Sequence, residues 1–491
     1  MAGSLTMLLR HTLLYMPAQI IGPLFQLVAM IVWTHMVSDH TLGIITLVTA
    51  THELLQVGFL AWWSQYALRF FGRFQDDADA QRFYRTENAI LLAAMLGQSL
   101  AAAGILVMVI APDARPLLLA ATVAYVITRS LNLYIGERAR VRQQIGVYSI
   151  QQTVGPALGF ILGLIAIEWL GQAPEWPLAG YAVAQLLAVL VVLPKIGHGR
   201  RPWPLDRDIV RHALHYGVPL VIGGGLGWIG LNASRFIVND MLGVAAAGLF
   251  AVGYGLGQRA ATVAAMLVTA AAFPIAVKRM EDSGSAAAMR QLSDNSALLI
   301  AILAPSVVGI FMLRAEIVHL LIAAPFRQVT LAVLPLSVLA GAIRNLRAHF
   351  GDQVFLLHNR TRLLIVVAGI DAVLTVALSF VCIRHWGIVG GAVATVIAAG
   401  AAAAASFAIG VSRFGLTLPL GHLARIALAT TAMGAALLIM TPAMGAAMLA
   451  AHIATGAAVY LAALALLYMP SIWKMLRARP RVAATVAVRD T

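Results

Sequence analysis

Fourteen apolar segments divide this chain, and nearly all of its positive charge falls on one side of them. The segments lie at about 12–34, 41–63, 88–111, 116–136, 149–169, 178–194, 214–238, 246–270, 295–313, 329–350, 362–383, 387–411, 423–441 and 446–468. Each is roughly 17–25 residues, the length a helix needs to cross roughly 30 Å of hydrocarbon. With the connections numbered alternately, the N-terminus, the even connections and the C-tail hold 27 of the 34 Lys and Arg residues. That tally places Arg344 and Arg347 at the inner end of the tenth span. The opposite connections hold only Arg115, Arg314, Arg327 and Arg384, while Arg129, Arg235 and Arg259 fall inside or at the edge of a span. Translocating Lys and Arg is unfavourable, so they collect in cytoplasmic loops. Both termini are therefore expected in the cytoplasm.

Hydrophobic residues make up 61% of the chain and charged ones 11%, the balance of a polytopic membrane protein. The net charge of +14 sits in short loops beside span ends, where it sets topology, and so gives no case for nucleic acid as a partner. Cys382 is the only cysteine, which rules out an intrachain disulfide and leaves no basis for a Cys metal site. The first apolar segment lacks a small-residue cleavage site and is expected to be a retained helix. Connections run to about 15 residues outside and about 19 inside, leaving no room for an extramembrane catalytic domain.

Two stretches repeat. Trp176-Pro-Leu-Ala-Gly180-Tyr181-Ala-Val-Ala184 enters the sixth span and Trp386-Gly-Ile-Val-Gly390-Gly391-Ala-Val-Ala394 the twelfth, with five of nine positions shared at an offset of 210. A weaker echo links Met36 to Gly43 with Met241 to Gly248 at an offset of 205. Six spans is an even number, so the halves share one orientation, the parallel-repeat plan in which a substrate path runs between lobes. The expected fold is an all-α polytopic membrane protein of about fourteen helices. Two six-helix lobes, 1–205 and 206–412, surround a central cleft, and 413–491 adds two helices and a basic tail.

Polar residues at helical spacing mark the faces that avoid lipid. The first span carries Thr12, Tyr15, Gln19, Gly22 and Gln26; the fourth Thr122, Tyr125, Arg129, Asn132 and Gly136; the seventh Gly225, Trp228, Asn232, Arg235 and Asn239. The second has Thr49, His52, Glu53 and Gln56, the eighth Tyr254, Gln258, Arg259 and Thr262, and the tenth Arg344 and Arg347. The striped helices include the repeat-related pairs one and seven, two and eight, and four and ten, as a cavity between lobes would require. Interhelical hydrogen bonding is the competing account of each stripe. It explains Arg129 least well, because an arginine at mid-span costs about 2.5–3.5 kcal/mol on insertion scales. Arg235 can snorkel to the outer surface, and Arg344 and Arg347 also fit the topological charge pattern. His52, Glu53 and Asp371 are candidates for a proton-coupling or charge-partner role, the partner role being favoured. The resulting cavity is cationic and suits a pyrophosphate or acidic sugar, with Tyr15, Trp63, Tyr125, Trp228 and Tyr254 available to stack on sugar rings. The Gly223 to Gly227 run after Pro219 is either a bending point or a close-packing patch.

Four places resemble the multidrug/oligosaccharidyl-lipid/polysaccharide exporter superfamily, and within it the polysaccharide transporters and O-antigen-type flippases. They are Met36-Val-Ser-Asp-His-Thr-Leu-Gly43, Ala247-Gly248 through Gly253-Tyr254 with Phe273-Pro274, Arg314 through Phe326, and Trp386 through Thr395. The resemblance spans about 410 residues in order. It implies a V-shaped pair of lobes with alternating access and, in the sugar-exporting branch, a cationic cavity and two extra C-terminal helices. The implied substrate is a polyprenyl-pyrophosphate-linked oligosaccharide, moved across a bacterial inner membrane for lipopolysaccharide or exopolysaccharide synthesis. The implied partners are the polymerase and glycosyltransferases of that synthesis. Three features depart from the family. Ser234-Arg235 stands where an Asp-Arg pair is common. The first span lacks the acidic residue of cation-coupled drug exporters, and it also lacks the Arg-and-Glu signature of peptidoglycan-precursor flippases.

On this reading the substrate residues are Arg129, Arg259, Arg235, Arg344, Arg347, Tyr125, Asn132, Asn232, Trp228 and Gln258, with no catalytic residue, cofactor or metal. Three further readings stay open in the sequence. Cation-coupled efflux of drugs or metabolites would use Glu53 or Asp371 but asks for a mostly apolar cavity. A membrane glycosyltransferase, polymerase or ligase would need acidic or His residues on a sizeable outer loop, where only Glu316 and His319 stand. A non-transporting subunit of a synthesis complex would tolerate loss of its buried arginines.

Overall fold

A computed structural model describes residues 25–74, 77–195, 204–440 and 445–477, and every regular element among them is helical. In chain order they are α1 (Phe25–Met36), α2 (Asp39–Arg73), α3 (Ala78–Ile110), α4 (Pro116–Val141), α5 (Ile145–Leu170) and α6 (Glu175–Lys195). These make the first lobe. The second comprises α7 (Arg207–Leu242), α8 (Val244–Ser283), α9 (Ser285–Leu321), α10 (Ala324–Leu357) and the two arms, α11 and α12, of Arg362–Phe414. Those arms, 362–386 and 388–414, meet at Gly387 (φ 56°, ψ −141°), where the chain turns back on itself. Helices α13 (Leu420–Ile439) and α14 (Ala446–Arg477) complete the fourteen. Inner and outer ends are named here by the charge asymmetry of the sequence.

The turns are shorter than the apolar segments suggest. Gly243 (φ 90°) is the single residue between α7 and α8, and Gly284 (φ 78°) the single residue between α8 and α9. Both need the positive φ that glycine adopts without strain. Ser38 starts α2 by accepting from the Thr41 N–H at 3.2 Å, and Asp206 starts α7 by accepting from the N–H groups of Asp208 and Ile209. Charged residues outside the apolar windows continue the helices, so α10 runs on to Leu357. Arg344 and Arg347 consequently lie within the helix and not at its end, and the helix is longer than the roughly 20 residues that cross the hydrocarbon. The Arg314–Phe326 stretch likewise is no long loop. It forms the facing ends of α9 and α10, with only Ile322 and Ala323 between them.

Both sequence echoes mark places where two backbones touch. A methyl at Gly180 of α6 would stand 2.5 Å from the Gly163 nitrogen of α5, and one at Gly390 of α12 under 3.0 Å from the Cys382 carbonyl oxygen of α11. These repeat-related glycines draw each lobe's sixth helix hard against its fifth. The weaker echo does the same between lobes. A methyl at Gly43 of α2 would meet the Val244 carbonyl oxygen, and one at Gly248 of α8 the Asp39 carbonyl oxygen, each under 3.0 Å. The 205-residue offset maps Asp39 onto Val244 and Gly43 onto Gly248, so the two contacts are one contact related by the repeat axis.

Phe250, Val238, Tyr254 and Val333 of the second lobe pack with Leu47, Tyr125, Val126 and Leu178 of the first in one continuous apolar core behind this crossing. The two added helices dock on α9. Glu316 and His452, both buried, pair at 2.8 Å, and the Tyr460 hydroxyl donates to the Ala301 carbonyl at 2.7 Å.

Gly180→Ala and Gly390→Ala are each expected to destabilise the purified protein by about 1–3 kcal/mol, the ordinary cost of overpacking. Gly400→Ala, in α12 with nothing within 4 Å of its added methyl, is expected to be neutral or slightly stabilising. Thermal unfolding in detergent measures all three, and equal effects would remove the special role of the repeat glycines.

Candidate functional site

The mid-span arginines divide into two groups according to what surrounds them. Arg344 is buried, and each of its three guanidinium nitrogens has a partner. Nε and Nη2 hold the two Asp371 oxygens at 3.1 and 3.0 Å, Nη1 donates to the Tyr254 hydroxyl at 3.0 Å, and Nη2 also reaches the Gly230 carbonyl at 2.7 Å. Arg347 pairs with Asp371 at 2.9 Å and with Asp352 at 3.3 Å, and Asp352 in turn accepts from Ser406. Helices α7, α8, α10, α11 and α12 thus meet on one fork of charges inside the second lobe. Breaking such a buried pair leaves an uncompensated charge and costs about 3–5 kcal/mol.

Arg129, Arg235 and Arg259 form the other group. They come from α4, α7 and α8, so both lobes contribute, and all three are half-buried. Between them stands Glu53 of α2, exposed although its neighbours Thr51, His52 and Leu55 are buried. The carboxylate is within electrostatic reach of Arg235, Arg259 and Arg129. A mid-helix carboxylate that is exposed yet ringed by arginines of both lobes faces a cavity between them and not lipid. Among the described residues none of the three arginines lies within 4.0 Å of a carboxylate. Arg235 donates only to the Thr46 carbonyl, at 3.2 Å, leaving Nε without a partner, and Arg259 Nη1 has none. Gly255, one turn outward, gives Arg259 room to fold along α8 towards Met30 of α1. The site therefore offers three cations against one carboxylate, with donors free for an anion.

The other residues read from the sequence are placed as follows. Tyr125 is buried under the site, edge-on to His52 at 5.8 Å and to Tyr181 at 6.5 Å. His52 turns into the first lobe, 3.0 Å from the Ser130 hydroxyl, and Asn132 donates to Gln151 there. Gln258 donates to the Ser337 carbonyl at 3.2 Å within the second lobe. Trp228 joins the lobes by donating to the Ala50 carbonyl at 3.0 Å. Asp371 is a charge partner in this geometry. Trp63 is no stacking platform, because it is fully buried, stacked on Phe83 at 5.2 Å and donating to Tyr134. Tyr254 is likewise occupied by Arg344 and stacked on Phe250 at 5.0 Å. Thr12, Tyr15, Gln19 and Gly22 lie outside the described residues, and Gln26 is exposed. Ser234, in place of the family Asp, bonds Ser379 at 2.8 Å. Within the Gly223–Gly227 run a methyl at Gly224 would stand 3.2 Å from Val57 of α2, while Gly225 and Gly227 meet nothing within 4 Å among the described residues, and α7 runs through them unbroken.

Two residues beside the cavity carry no polar stripe of their own. Tyr181 of α6 packs on the apolar cluster that holds the buried Trp33 of α1 and lies within electrostatic reach of Arg129 and Arg259. The signal for Tyr181 was its position inside the repeated Trp176–Ala184 segment. Trp33 had none. The inner seam between lobes is built differently again. Arg82 of α3 pairs with Asp206 at 2.5 Å, the Asp206 N–H donates to Thr86, and Arg69 lies 5.5 Å over the Tyr216 ring. Partial burial alone would raise the Asp206 pKa, but the Ile209 N–H and Arg82 outweigh it and hold that carboxyl below its usual range. The ionised form is thus bound more tightly in the folded protein, and the contribution is lost only as acid reaches that lowered pKa.

With this geometry in view, the comparisons are specific. Residues 8–280 match the family described as "Polysaccharide biosynthesis protein", over more than half of the chain. The chain belongs to that family. None of the curated proteins matches it by sequence. Its fold is similar to that of a structure described as the lipid II flippase MurJ in an inward closed conformation, with a TM-score of 0.77 at 14% identity over 94% of this chain and 100% of that one. An inward-facing multidrug resistance transporter of the MATE family matches with a TM-score of 0.57 at 16% identity, covering 82% of this chain and 98% of its own. An outward-facing one matches at 0.53 with 16% identity, covering 83% and 95%. Family and fold together place this polysaccharide biosynthesis protein in the multidrug/oligosaccharidyl-lipid/polysaccharide exporter superfamily.

Asp371→Asn and Arg344→Gln are expected to lose about 3–5 kcal/mol of stability, because each strands a buried charge or its partners. Arg129→Gln and Arg259→Gln, at an open site, are expected to lose far less. Melting curves of the four purified variants separate the two groups, and a collapse on Arg129→Gln would move that residue into the structural set.

Proposed function

We propose that this protein flips a polyprenyl-pyrophosphate-linked oligosaccharide from the cytoplasmic to the outer leaflet of a bacterial inner membrane, with both termini in the cytoplasm. The observation that carries the reading is the open cluster of Arg129, Arg235 and Arg259, contributed by both lobes and opposed only by Glu53. Arginine keeps its charge when buried and binds phosphate oxygens through paired N–H donors. A site spanning two lobes changes its exposure when the lobes rock, which a site within one lobe would not. The pyrophosphate would lie between Arg129 and Arg259, and Asn232, Tyr181 and Trp228 would meet the first sugars. The lipid tail would stay in the bilayer between lobes. Arg344 and Arg347 would serve by holding α7, α8 and α10 in register behind the site.

The likeness to a lipid II flippase supports a lipid-linked substrate, and the family description supports a glycan destined for polysaccharide. Drug efflux fits less well. Its structural relatives share the fold, but the charge of this cavity attracts anions, and Asp371 is already held by two arginines. A transferase is disfavoured because Glu316 is buried against His452 and is not presented on an outer loop.

Deletion of the chain is expected to abolish surface glycan and to accumulate lipid-linked intermediate on the inner leaflet. Complementation with Arg129→Ala or Arg259→Ala at normal expression is expected to fail, each losing about 1.5–3 kcal/mol of headgroup binding. Arg129→Lys is expected to recover part of the activity if charge dominates over paired hydrogen bonding. Full export by both alanine variants would overturn the site, and an unchanged glycan on deletion would overturn the substrate class.

A further inference from the structure

The outer ends of the two lobes meet where Gly43 of α2 crosses Gly248 of α8. Around this crossing the outer contacts between lobes are neutral. The Ala323 N–H donates to the Thr34 hydroxyl at 3.3 Å, and Asn239 donates to the Val109 carbonyl at 2.8 Å. Among the described residues no ion pair joins the lobes at this end, whereas the inner seam carries Arg82 and Asp206. At the crossing itself the contact is backbone against backbone, and a methyl on either glycine would lie under 3.0 Å from a carbonyl oxygen of the other helix. The residues that meet are equivalent under the repeat, so parting the helices breaks both contacts at once.

We propose that the Gly43–Gly248 crossing is the outer gate of the central cleft, a glycine seal that closes by direct backbone contact and parts as a unit when the site opens outward. The inference rests on the transporter reading for its purpose, but its test is a measurement of access and not of transport. Glycine is required because only hydrogen at these positions lets the helices close, and neutrality is required because a buried ion pair would resist parting. Thr49, one turn outward of Glu53 on the same face of α2, lies between the seal and the arginines and reports on it.

The chain's one cysteine, Cys382, is buried, so Cys382→Ser gives a background into which Thr49→Cys can be placed. A membrane-impermeant maleimide added to the outer face should label this cysteine slowly in the otherwise native protein. Gly43→Ala and Gly248→Ala should each speed labelling by at least ~5-fold, the shift that overpacking of this kind produces in a two-state equilibrium. Gly227→Ala, whose methyl meets nothing, should leave the rate unchanged. In a second arm, Thr34→Cys with Ala323→Cys should be joined by a short bis-maleimide in the Cys382→Ser protein, and either alanine variant should reduce the yield. Native labelling rates and native cross-linking in both alanine variants would overturn the gate. If deletion of the chain leaves glycan export intact while the alanine variants still open the cysteine, the transport reading fails and the gate stands.

Discussion

A charged side chain inside a bilayer has two stable fates: it is neutralised by a partner, or it faces water. In this protein that choice is made differently at different arginines. Arg344 and Arg347 close on Asp371 and Asp352, and in doing so tie five helices of one lobe together. Among the described residues Arg129, Arg235 and Arg259 close on no carboxylate. The helices that carry them belong to two lobes, and the single carboxylate among them, Glu53, is outnumbered and out of ion-pair contact. Leaving three such cations without full neutralisation costs folding energy, which water in the cleft or, on the proposed function, a bound anion would offset.

The arrangement depends on how closely the backbones are allowed to approach. Gly180 and Gly390 pull the sixth helix of each lobe onto the fifth, which fixes where Tyr181 stands. Gly43 and Gly248 bring the lobes themselves together one helix end away from the arginines. Van der Waals packing of small residues is the main source of helix association in lipid, where burial of apolar surface contributes little. A duplicated chain would need such contacts twice, once per half, and it is at those contacts that the residue echo survives in a sequence otherwise divergent between halves.

The fold was legible because its two signals are physical necessities: apolar length and one-sided charge. The cleft was legible to the extent that polar stripes fell on repeat-related helices, and Arg129, Arg259 and Glu53 do converge. What the stripes could not resolve was direction. Asn132 and Arg129 are three residues apart on one helix, yet one turns into its own lobe and the other into the cleft, since a polar face wider than a few tens of degrees touches both. The surroundings of Arg344 were hidden for a related reason. An apolar window ends where charges begin, but α10 continues through them, and Arg344 is buried against Asp371 inside its own lobe, which the charge count could not show. Trp33 gave no signal at all, because an indole on an apolar helix reads as filler until its partner Tyr181 is known.

The two seams between lobes differ in chemistry, and the difference has a mechanical consequence. The outer seam is neutral and nearly all backbone, so its strength comes from short-range contact that vanishes over a fraction of an ångström. The inner seam holds Arg82 to Asp206 and Arg69 over Tyr216 at a surface open to solvent. Ionic attraction falls off slowly with distance, and exposed pairs exchange readily with water. A rocking motion therefore meets an abrupt release on one side and a graded one on the other. On the proposed function, an anion settling among Arg129, Arg235 and Arg259 would draw in charges from both lobes, acting on the cavity between the seams and on neither seam directly. The headgroup would then bias the balance between the two closures, and it would not need to break an ion pair at the outer gate in order to leave.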